Sequence, residues 1–144
     1  MTESDLLVCA KWYSDPDLLT LVKVEKPDFT LPMIFYCAKI DNVPVGTLEL
    51  FNIDIDNNKA EFGLCFMRKG LAGIATKMFL REAFQYINRV YVRPLAVNEQ
   101  AITNAKRFGF REEGIERQAI CRNGEYLDVV MLSMLKEEFN ERWG

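Results

Sequence analysis

The chain has 144 residues, 49% of them hydrophobic, which suits one domain with a single core. Its formal net charge is −3, and an acidic chain lacks the broad basic surface that nucleic-acid binding requires. No apolar run approaches the ~18 residues of a membrane span, and the acidic start "MTESDLLVCAKWY" does not resemble a secretory leader. We therefore expect one cytoplasmic domain over residues 1–144, with no membrane or nucleic-acid partner.

The first part of the chain alternates helix-like and strand-like segments. Residues 4–13 have a helical pattern, and Asp17–Val22 predicts a second, short helix. The runs "MIFYCAKID", "VGTLELFNID" and "AEFGLCF" follow, separated by the turn signals "DNVP" and "IDNN". These three runs predict an antiparallel meander.

The second part predicts two helices, each followed by strands. Residues 74–87 carry an apolar helical stripe, made of Phe79, Leu80, Ala83, Phe84 and Ile87. "RVYVRPLAV" is strand-like, and "NEQAITNAKRFGF" is a helix that ends at Gly109. Asn123-Gly124 then predicts a hairpin. The whole order predicts an α/β fold with one mixed, mostly antiparallel sheet, helices on both faces, and a parallel strand pair within residues 60–96.

The spacing of the cysteines and the absence of histidine argue against two kinds of site. Cys9, Cys37, Cys65 and Cys121 are isolated, and the chain has no histidine. A zinc site of the usual kind and a Cys–His nucleophile pair are therefore not expected, and we predict no metal. Isolated cysteines in apolar surroundings indicate reduced, buried thiols.

Charge is distributed unevenly along the sequence. Residues 68–111 contain nine cations against Glu82 and Glu99, so this segment is +7 and the remainder is −10. Two interpretations stay open: scattered solvated charge, or a basic anion site within an acidic protein.

The stretch "CFMRKGLAGIATK", residues 65–77, is the strongest motif of the chain. A strand-like run leads through Gly70, Ala72 and Gly73 into a helix, and Arg68, Lys69 and Lys77 add positive charge. Unpaired N–H groups at a helix start bind phosphate, and small residues let it approach closely. The alternatives are ordinary close packing and a nucleotide-binding turn. The motif is no Walker loop, because the Gly-Lys-Ser/Thr ending is absent.

In this context the chain resembles the GNAT superfamily of acetyl-coenzyme A-dependent N-acetyltransferases. Within it, the sequence looks most like the branch of ribosomal-protein N-terminal and spermidine N-acetyltransferases. The resemblance covers roughly residues 4–136 and rests on "WYSDP", "VPVGTLEL", "AEFGLCFMRKGLAGIATKMF" and "NEQAITNAKRFGFREEGI".

The resemblance implies a site for acetyl-coenzyme A. Gly73 and Ala75 match the last two positions of the family's phosphate loop, whereas Gly70 stands where the family has Arg or Gln. Asn98 matches the asparagine that begins the penultimate helix, as a helix N-cap, a pantetheine contact, or both. The expected cofactor-binding residues are Cys65, Phe66, Met67, Gly70, Leu71, Ala72, Gly73, Ile74, Ala75, Asn98, Asn104 and Arg107; the last two are alternatively solvated surface.

The resemblance also suggests which groups take part in catalysis. The N–H of Phe66 or Met67 would polarise the thioester carbonyl. Glu61 is the first candidate base and Glu49 the second, the latter if Asn57-Asn58 is a two-residue turn that sets Glu49 across from Phe66. Both glutamates are alternatively exposed strand residues.

Two further features depart from the family. Ala105 stands where many relatives have a proton-donating tyrosine, which leaves Tyr126, Tyr36 or water as the donor. The chain begins close to the first helix, so the family's first strand is apparently missing. The sheet edge would then be open to a partner, which favours a homodimer.

Taken together, the sequence predicts transfer of an acetyl group from acetyl-coenzyme A directly to a primary amine. The acceptor is a protein N-terminus, a polyamine or an amino sugar, and the acidic remainder favours a cationic one. The alternative is a catalytically degenerate fold that binds coenzyme A as a regulatory module.

Overall fold

The computed structural model describes residues 19–23, 34–66 and 70–144. The described chain divides into two compact units. Unit 1 holds the described residues of Met1–Ile53 and Phe62–Tyr86, and unit 2 holds Asp54–Glu61 and Ile87–Gly144. One strand runs through both units, because the boundary falls between Glu61 and Phe62.

Unit 1 contains strands β1 (Leu19–Lys23), β2 (Ile34–Ile40), β3 (Val43–Asp54, up to Ile53) and the end of β4 (Lys59–Phe66), followed by helix α1 (Ala72–Ala83). β1 and β3 both pair antiparallel with β2. The β2–β3 turn is formed by Asp41 and Asn42, both at positive φ (50° and 65°), which Asn and Asp tolerate better than most residues. The predicted meander is confirmed in its β2–β3 hairpin, and β4 lies beside β3 in the strand order.

The predicted helix at Asp17–Val22 is wrong over its described residues. Leu19–Lys23 is an edge strand that pairs with β2 from Leu19–Ile40 to Lys23–Tyr36. The β-branched Thr20 and Val22 suit this conformation, and pairing with a strand more than ten residues away decides it. The edge beside β2 is therefore occupied, and the expected vacancy there is wrong. The predicted helix 4–13, and any strand before it, lie outside the described residues.

The core of unit 1 forms between α1 and the sheet. The Phe79 ring packs edge-on against Tyr36 (5.2 Å between centroids) and stacks on Phe62 (5.6 Å). Four members of the predicted stripe, Phe79, Leu80, Ala83 and Phe84, are buried as expected. Each large apolar side chain stabilises the fold by about 1.5–3 kcal/mol. The helix runs from Ala72 to Ala83 and so begins and ends earlier than predicted.

Unit 2 contains the first part of β4, then β5 (Arg89–Val92), α2 (Glu99–Phe108), β6 (Arg111–Arg122), β7 (Glu125–Leu135) and α3 (Lys136–Trp143). β4 and β5 are parallel, as predicted, whereas β7 pairs antiparallel with β5 and β6. Asn123 and Gly124 form the predicted hairpin turn at φ 50° and 79°. The hydrogen-bonded strand order is β1-β2-β3-β4-β5-β7-β6. The predicted mixed α/β class is confirmed, with β1 as a seventh strand.

Two features of unit 2 differ from the prediction. The strand predicted over residues 89–97 ends at Val92, since Pro94 lacks the N–H that a continuing ladder would use. The helix α3 was not predicted. It is only eight residues long, and tertiary contacts hold it: Phe139 is buried, and the Trp143 indole donates to the Phe108 carbonyl (2.9 Å).

The cysteines divide into two groups. Cys37 is buried as predicted, but Cys65 and Cys121 are exposed, so the expectation of buried thiols is wrong for these two. Cys65 lies near the end of β4, and Cys121 in the β6–β7 hairpin. Cys9 lies outside the described residues. No helix in the described part of the chain is long and apolar enough to cross a membrane.

Candidate functional site

The end of β4 presents an exposed stretch of strand in unit 1. The β4–β5 ladder consists of three pairs and ends at Glu61–Tyr91, and β4 continues beyond it to Phe66. Leu64 is 46% exposed and Cys65 is also exposed, although they point to opposite sides of the strand. The end of β4 beyond the ladder is therefore partly exposed, and a thioester site there stays a prediction.

Phe66 is fixed at the end of this strand by its side chain. A Cβ atom added to Gly46 would lie 2.6 Å from the Phe66 ring, so the ring packs directly on the glycine backbone of β3. This contact anchors the residue whose N–H is the predicted oxyanion donor. Met67, the other predicted donor, lies outside the described residues, as do Arg68 and Lys69.

The start of α1 has the properties of an anion site. Leu71 is the N-cap and provides no side-chain hydrogen bond, and the first turn contains no acidic residue. The first backbone bond runs from Ala75 N–H to Leu71 carbonyl (3.0 Å), so the amides of Ala72, Gly73 and Ile74 precede it without intrahelical acceptors. Their N–H groups and the helix dipole favour an anion.

The glycines keep this helix start open. Gly70 has φ +93°, a conformation that residues with a side chain rarely adopt. A Cβ added to Gly70 or to Gly73 would meet no atom within 4 Å, so the space beside both is free. Leu71 and Ala75 are buried, which leaves them only main-chain groups to offer a ligand. The residues present fit a pyrophosphate group.

Helix α2 holds the other three predicted cofactor residues, all in unit 2. The Asn98 side chain accepts from Ala101 N–H (3.2 Å), so its interpretation as an N-cap is confirmed. Asn104 accepts from Gln100 (2.9 Å), and the exposed Arg107 accepts from Arg142 through its carbonyl (2.6 Å). A contact of these three residues with the cofactor stays a prediction.

Glu61 belongs to a polar cluster in unit 2. It is 7% exposed, and it is the register partner of Tyr91 on β5. Burial and the nearby charge of Glu61 raise the pKa of Tyr91. Arg93, the first residue after β5, forms a bidentate pair with Glu116 (2.9 and 2.7 Å). That pair, with a smaller contribution from Glu61, raises the pKa of Arg93, and it lowers the pKa of Glu116.

Glu49, the second candidate base, lies on β3 in unit 1. Its carboxylate is beside Gly63, where an added Cβ would be 2.8 Å from Glu49 Oε1. The predicted two-residue turn is a four-residue turn over Ile55–Asn58, in which Asp54 accepts from the Asn57 amide and side chain. The longer turn shifts the strands, so the predicted placement of Glu49 across from Phe66 is wrong.

The structure describes both tyrosines that were predicted as alternative donors, Tyr36 and Tyr126. The Tyr36 hydroxyl donates to Glu82 Oε1 (2.7 Å), and burial with this bond raises its pKa to about 12. Tyr126 is 65% exposed on the β6–β7 hairpin. Neither feature indicates a tuned proton donor.

Sequence reasoning did not find Tyr91, Arg93 and Glu116. Glu116 is 23 residues from Arg93, and only the order β4-β5-β7-β6 brings them near Glu61. The alternation of Arg89, Tyr91 and Arg93 was the available signal, because it sets three polar side chains on one side of the strand predicted over residues 89–97.

The known proteins that are similar to this chain, in sequence and in fold, are N-acetyltransferases. The chain is 35% identical over 100 residues to a putative ribosomal N-acetyltransferase YdaF of Bacillus subtilis (65% of this chain, 55% of the relative). It is 26% identical over 110 residues to a spermidine N(1)-acetyltransferase of Escherichia coli (72% and 59%). The chain thus spans less than two thirds of these relatives. No family model matches.

Solved structures agree with the sequence comparison. A spermidine/spermine N-acetyltransferase SpeG of Vibrio cholerae, solved with manganese ions, superposes with a TM-score of 0.78 at 19% identity (90% of this chain, 99% of that chain). A probable acetyltransferase gives 0.66 at 32% identity (74% and 63%). The first similarity concerns the fold alone.

Proposed function

We propose that this chain is a member of the GNAT superfamily and transfers an acetyl group from acetyl-coenzyme A to a primary amine; its similarity to named N-acetyltransferases and its fold support this. The observation that carries the proposal is the start of α1: amides that have no acceptor within the helix, no acidic residue in the first turn, and open space at Gly70 and Gly73. A strand end that exposes Leu64 and Cys65 leads into it.

Main-chain groups would hold the cofactor. The amides of Ala72, Gly73 and Ile74 would bind the pyrophosphate, and the exposed end of β4 would pair with the pantetheine arm. The thioester supplies an activated acetyl group. The Phe66 N–H, held by ring packing on Gly46, would donate to its carbonyl oxygen.

Glu61 is the proposed base. An amine must lose a proton to attack, and a carboxylate with little solvent contact can accept it directly or through water. Glu49 is the second candidate and would instead orient the acceptor, because its carboxylate lies beside Gly63 rather than Phe66.

The acceptor is proposed as a small-molecule or peptide amine: a protein N-terminus, a polyamine or an amino sugar. Relatives named for ribosomal and spermidine acetylation support the first two classes. A cationic acceptor suits the −10 charge outside residues 68–111.

One observation favours a second function, a coenzyme A-binding regulatory module. Ala105 has no hydroxyl to protonate the leaving thiolate, and Tyr36 is bonded to Glu82 instead. Such a module would bind the cofactor without turnover.

Thermal unfolding with acetyl-coenzyme A, coenzyme A, ATP or NAD tests the binding site. A ligand at a hundred times its Kd adds about 2.7 kcal/mol, which raises Tm by roughly 8 °C in a chain of this size. Thiol release is then measured against spermidine, glucosamine and N-terminal peptides. Stabilisation with turnover supports the enzyme, stabilisation without turnover on any amine supports the module, and stabilisation by ATP or NAD alone contradicts both.

A further inference from the structure

A cleft lies between helix α1 and the sheet of unit 1, at the C-terminal end of the helix. Its volume is about 270 Å³, and its lining comes from β2, β3, α1 and the turn that follows α1. Because a helix rises about 1.5 Å per residue, the cleft lies roughly 14 Å along α1 from Gly73. It is therefore a different place on unit 1 from the proposed pyrophosphate site.

The walls of the cleft are apolar and come from both layers. On the sheet side, Ile34 of β2 pairs with Leu50 of β3, and Tyr36 follows on the same face of β2. On the helix side, Phe79 and Ala83 are about one turn apart on α1. All of these side chains except Ile34 are buried, so the floor of the cleft presents hydrocarbon and aromatic surface.

Glu82 is the one charged residue among the described residues that line the cleft. Its Oε1 atom accepts from the Tyr36 hydroxyl (2.7 Å), which fixes the carboxylate at the edge of the apolar wall. Within the described part of the chain, Tyr36 is its only hydrogen-bond or ion-pair partner. Arg81 is the neighbouring cation in the sequence, but it does not line the cleft. The lining therefore carries a negative charge that no described ion pair compensates.

Tyr86 places an aromatic ring at the same edge of the cleft. It is 76% exposed, and its amide donates to the Ala83 carbonyl (3.0 Å), so the chain makes a further turn after α1. Tyr86 is four residues from Glu82, and both line the cleft. An aromatic face attracts ammonium groups, and the C-terminal end of a helix is the negative end of its dipole. The carboxylate, the ring and the helix end all favour a cation at this edge.

We propose that this cleft binds a small organic ammonium ion that has a single charge and an apolar body. The ammonium group would donate to the Glu82 carboxylate, and the apolar body would lie against Ile34, Leu50 and Phe79. A second charge on the ligand would have to leave water against an apolar floor, which is costly. The inference goes beyond the proposed function, and it shares no residue with the start of α1 or the end of β4.

The first test compares ligands of equal length on the unaltered protein. Hexylammonium is titrated without acetyl-coenzyme A, and the ¹⁵N NMR signals of the Ala83 and Tyr86 amides report its binding. A ligand of this size should bind with a Kd of about 1 mM. Hexanol, which has no charge, should bind about tenfold more weakly, and hexamethylenediammonium should also bind more weakly because of its second charge. Equal affinities for hexylammonium and hexanol, or tighter binding of the diammonium, overturn the proposal.

The second test changes the protein. Glu82→Gln keeps an acceptor for the Tyr36 hydroxyl but loses the charge, so hexylammonium should bind about tenfold more weakly and hexanol as before. Glu125→Gln is the matched control, because it removes the same charge from an exposed residue that does not line the cleft. It should leave both affinities unchanged. Equal hexylammonium affinities in the two variants, or unmoved Ala83 and Tyr86 signals in the unaltered protein, contradict the assignment.

Circular dichroism checks that each variant folds. If Glu82→Gln does not fold, Tyr86→Leu carries the test, because Tyr86 is exposed and leucine keeps an apolar side chain without the aromatic face. It should weaken hexylammonium binding two- to fivefold, by roughly the contribution of a cation–π contact at an exposed site, without weakening hexanol binding. An unchanged hexylammonium affinity in Tyr86→Leu would then overturn the proposal.

One further variant separates the cleft from the proposed acceptor site, since a primary ammonium is also a candidate acceptor. Glu61→Gln should leave the hexylammonium affinity reported by Ala83 and Tyr86 unchanged. A loss in Glu61→Gln with no loss in Glu82→Gln would place the ammonium at the acceptor site and overturn the inference. Absent turnover on every amine, with the expected binding at the cleft, refutes the proposed enzyme alone.

Discussion

Replacing Gly73 by Asp should stabilise the free protein and weaken its binding of coenzyme A. Gly73 is the second residue of α1, it is exposed, and an added Cβ meets nothing within 4 Å. The first turn contains no acidic side chain. The new carboxylate would thus be the only acid in that turn, beside the amides proposed to bind pyrophosphate.

The gain in stability of the free protein and the loss of affinity for coenzyme A can be estimated separately. An acid at a helix start contributes about 0.3–1 kcal/mol, and replacing a helical glycine adds roughly 0.3 kcal/mol. Together they raise Tm by about 3 °C. Each pyrophosphate charge at ~6 Å repels the new carboxylate by roughly 1 kcal/mol in a mostly aqueous setting. Two such charges weaken binding about 30-fold.

Calorimetric titration with coenzyme A and thermal unfolding of the free protein measure both quantities. Gly73→Asn is the matched control, because it has the same volume without the charge. It should bind coenzyme A about 30-fold more tightly than Gly73→Asp, and this difference should shrink in 1 M salt, where the Debye length is about 3 Å. Equal affinities of the Asp and Asn variants would refute a pyrophosphate at this helix start.

Three further predictions concern single side chains. Glu61→Gln should reduce kcat by about 10²-fold or more with little change in the Kd of acetyl-coenzyme A. Glu49→Gln should retain most of the turnover. If a thiol-release assay shows the larger loss in Glu49→Gln, the base is Glu49 instead. Asn98→Ala should lower the free energy of unfolding by about 1 kcal/mol through loss of the cap, and Asn104→Ala, at an exposed site, by less than about 0.5 kcal/mol; equal losses in urea titrations would contradict the capping role. Because the pKa of Tyr36 is raised to about 12, its contribution to stability is complete below pH 10 and is lost as the pH rises towards 12; Tyr36→Phe should flatten this decline, and parallel urea-unfolding profiles would contradict it.

The sequence predicted most elements whose signals are local. The stripe through Phe79 and Leu80 gave α1, Gly109 gave the end of α2, and Asn123-Gly124 gave the hairpin. It failed at Leu19–Lys23, where pairing with β2 decides the conformation, and at α3, whose Trp143 depends on the Phe108 carbonyl. In both places a short segment takes its conformation from a distant partner.

The same division applies to the candidate site. The helix start at Gly70–Ile74 was readable because a phosphate cradle is made by consecutive main-chain amides, and glycines mark it in the sequence. The surroundings of Glu61 could not be predicted, because Tyr91, Arg93 and Glu116 lie on, or directly after, strands whose order the sequence does not state. Local backbone geometry is encoded locally, whereas the charge around a side chain depends on which strands become neighbours.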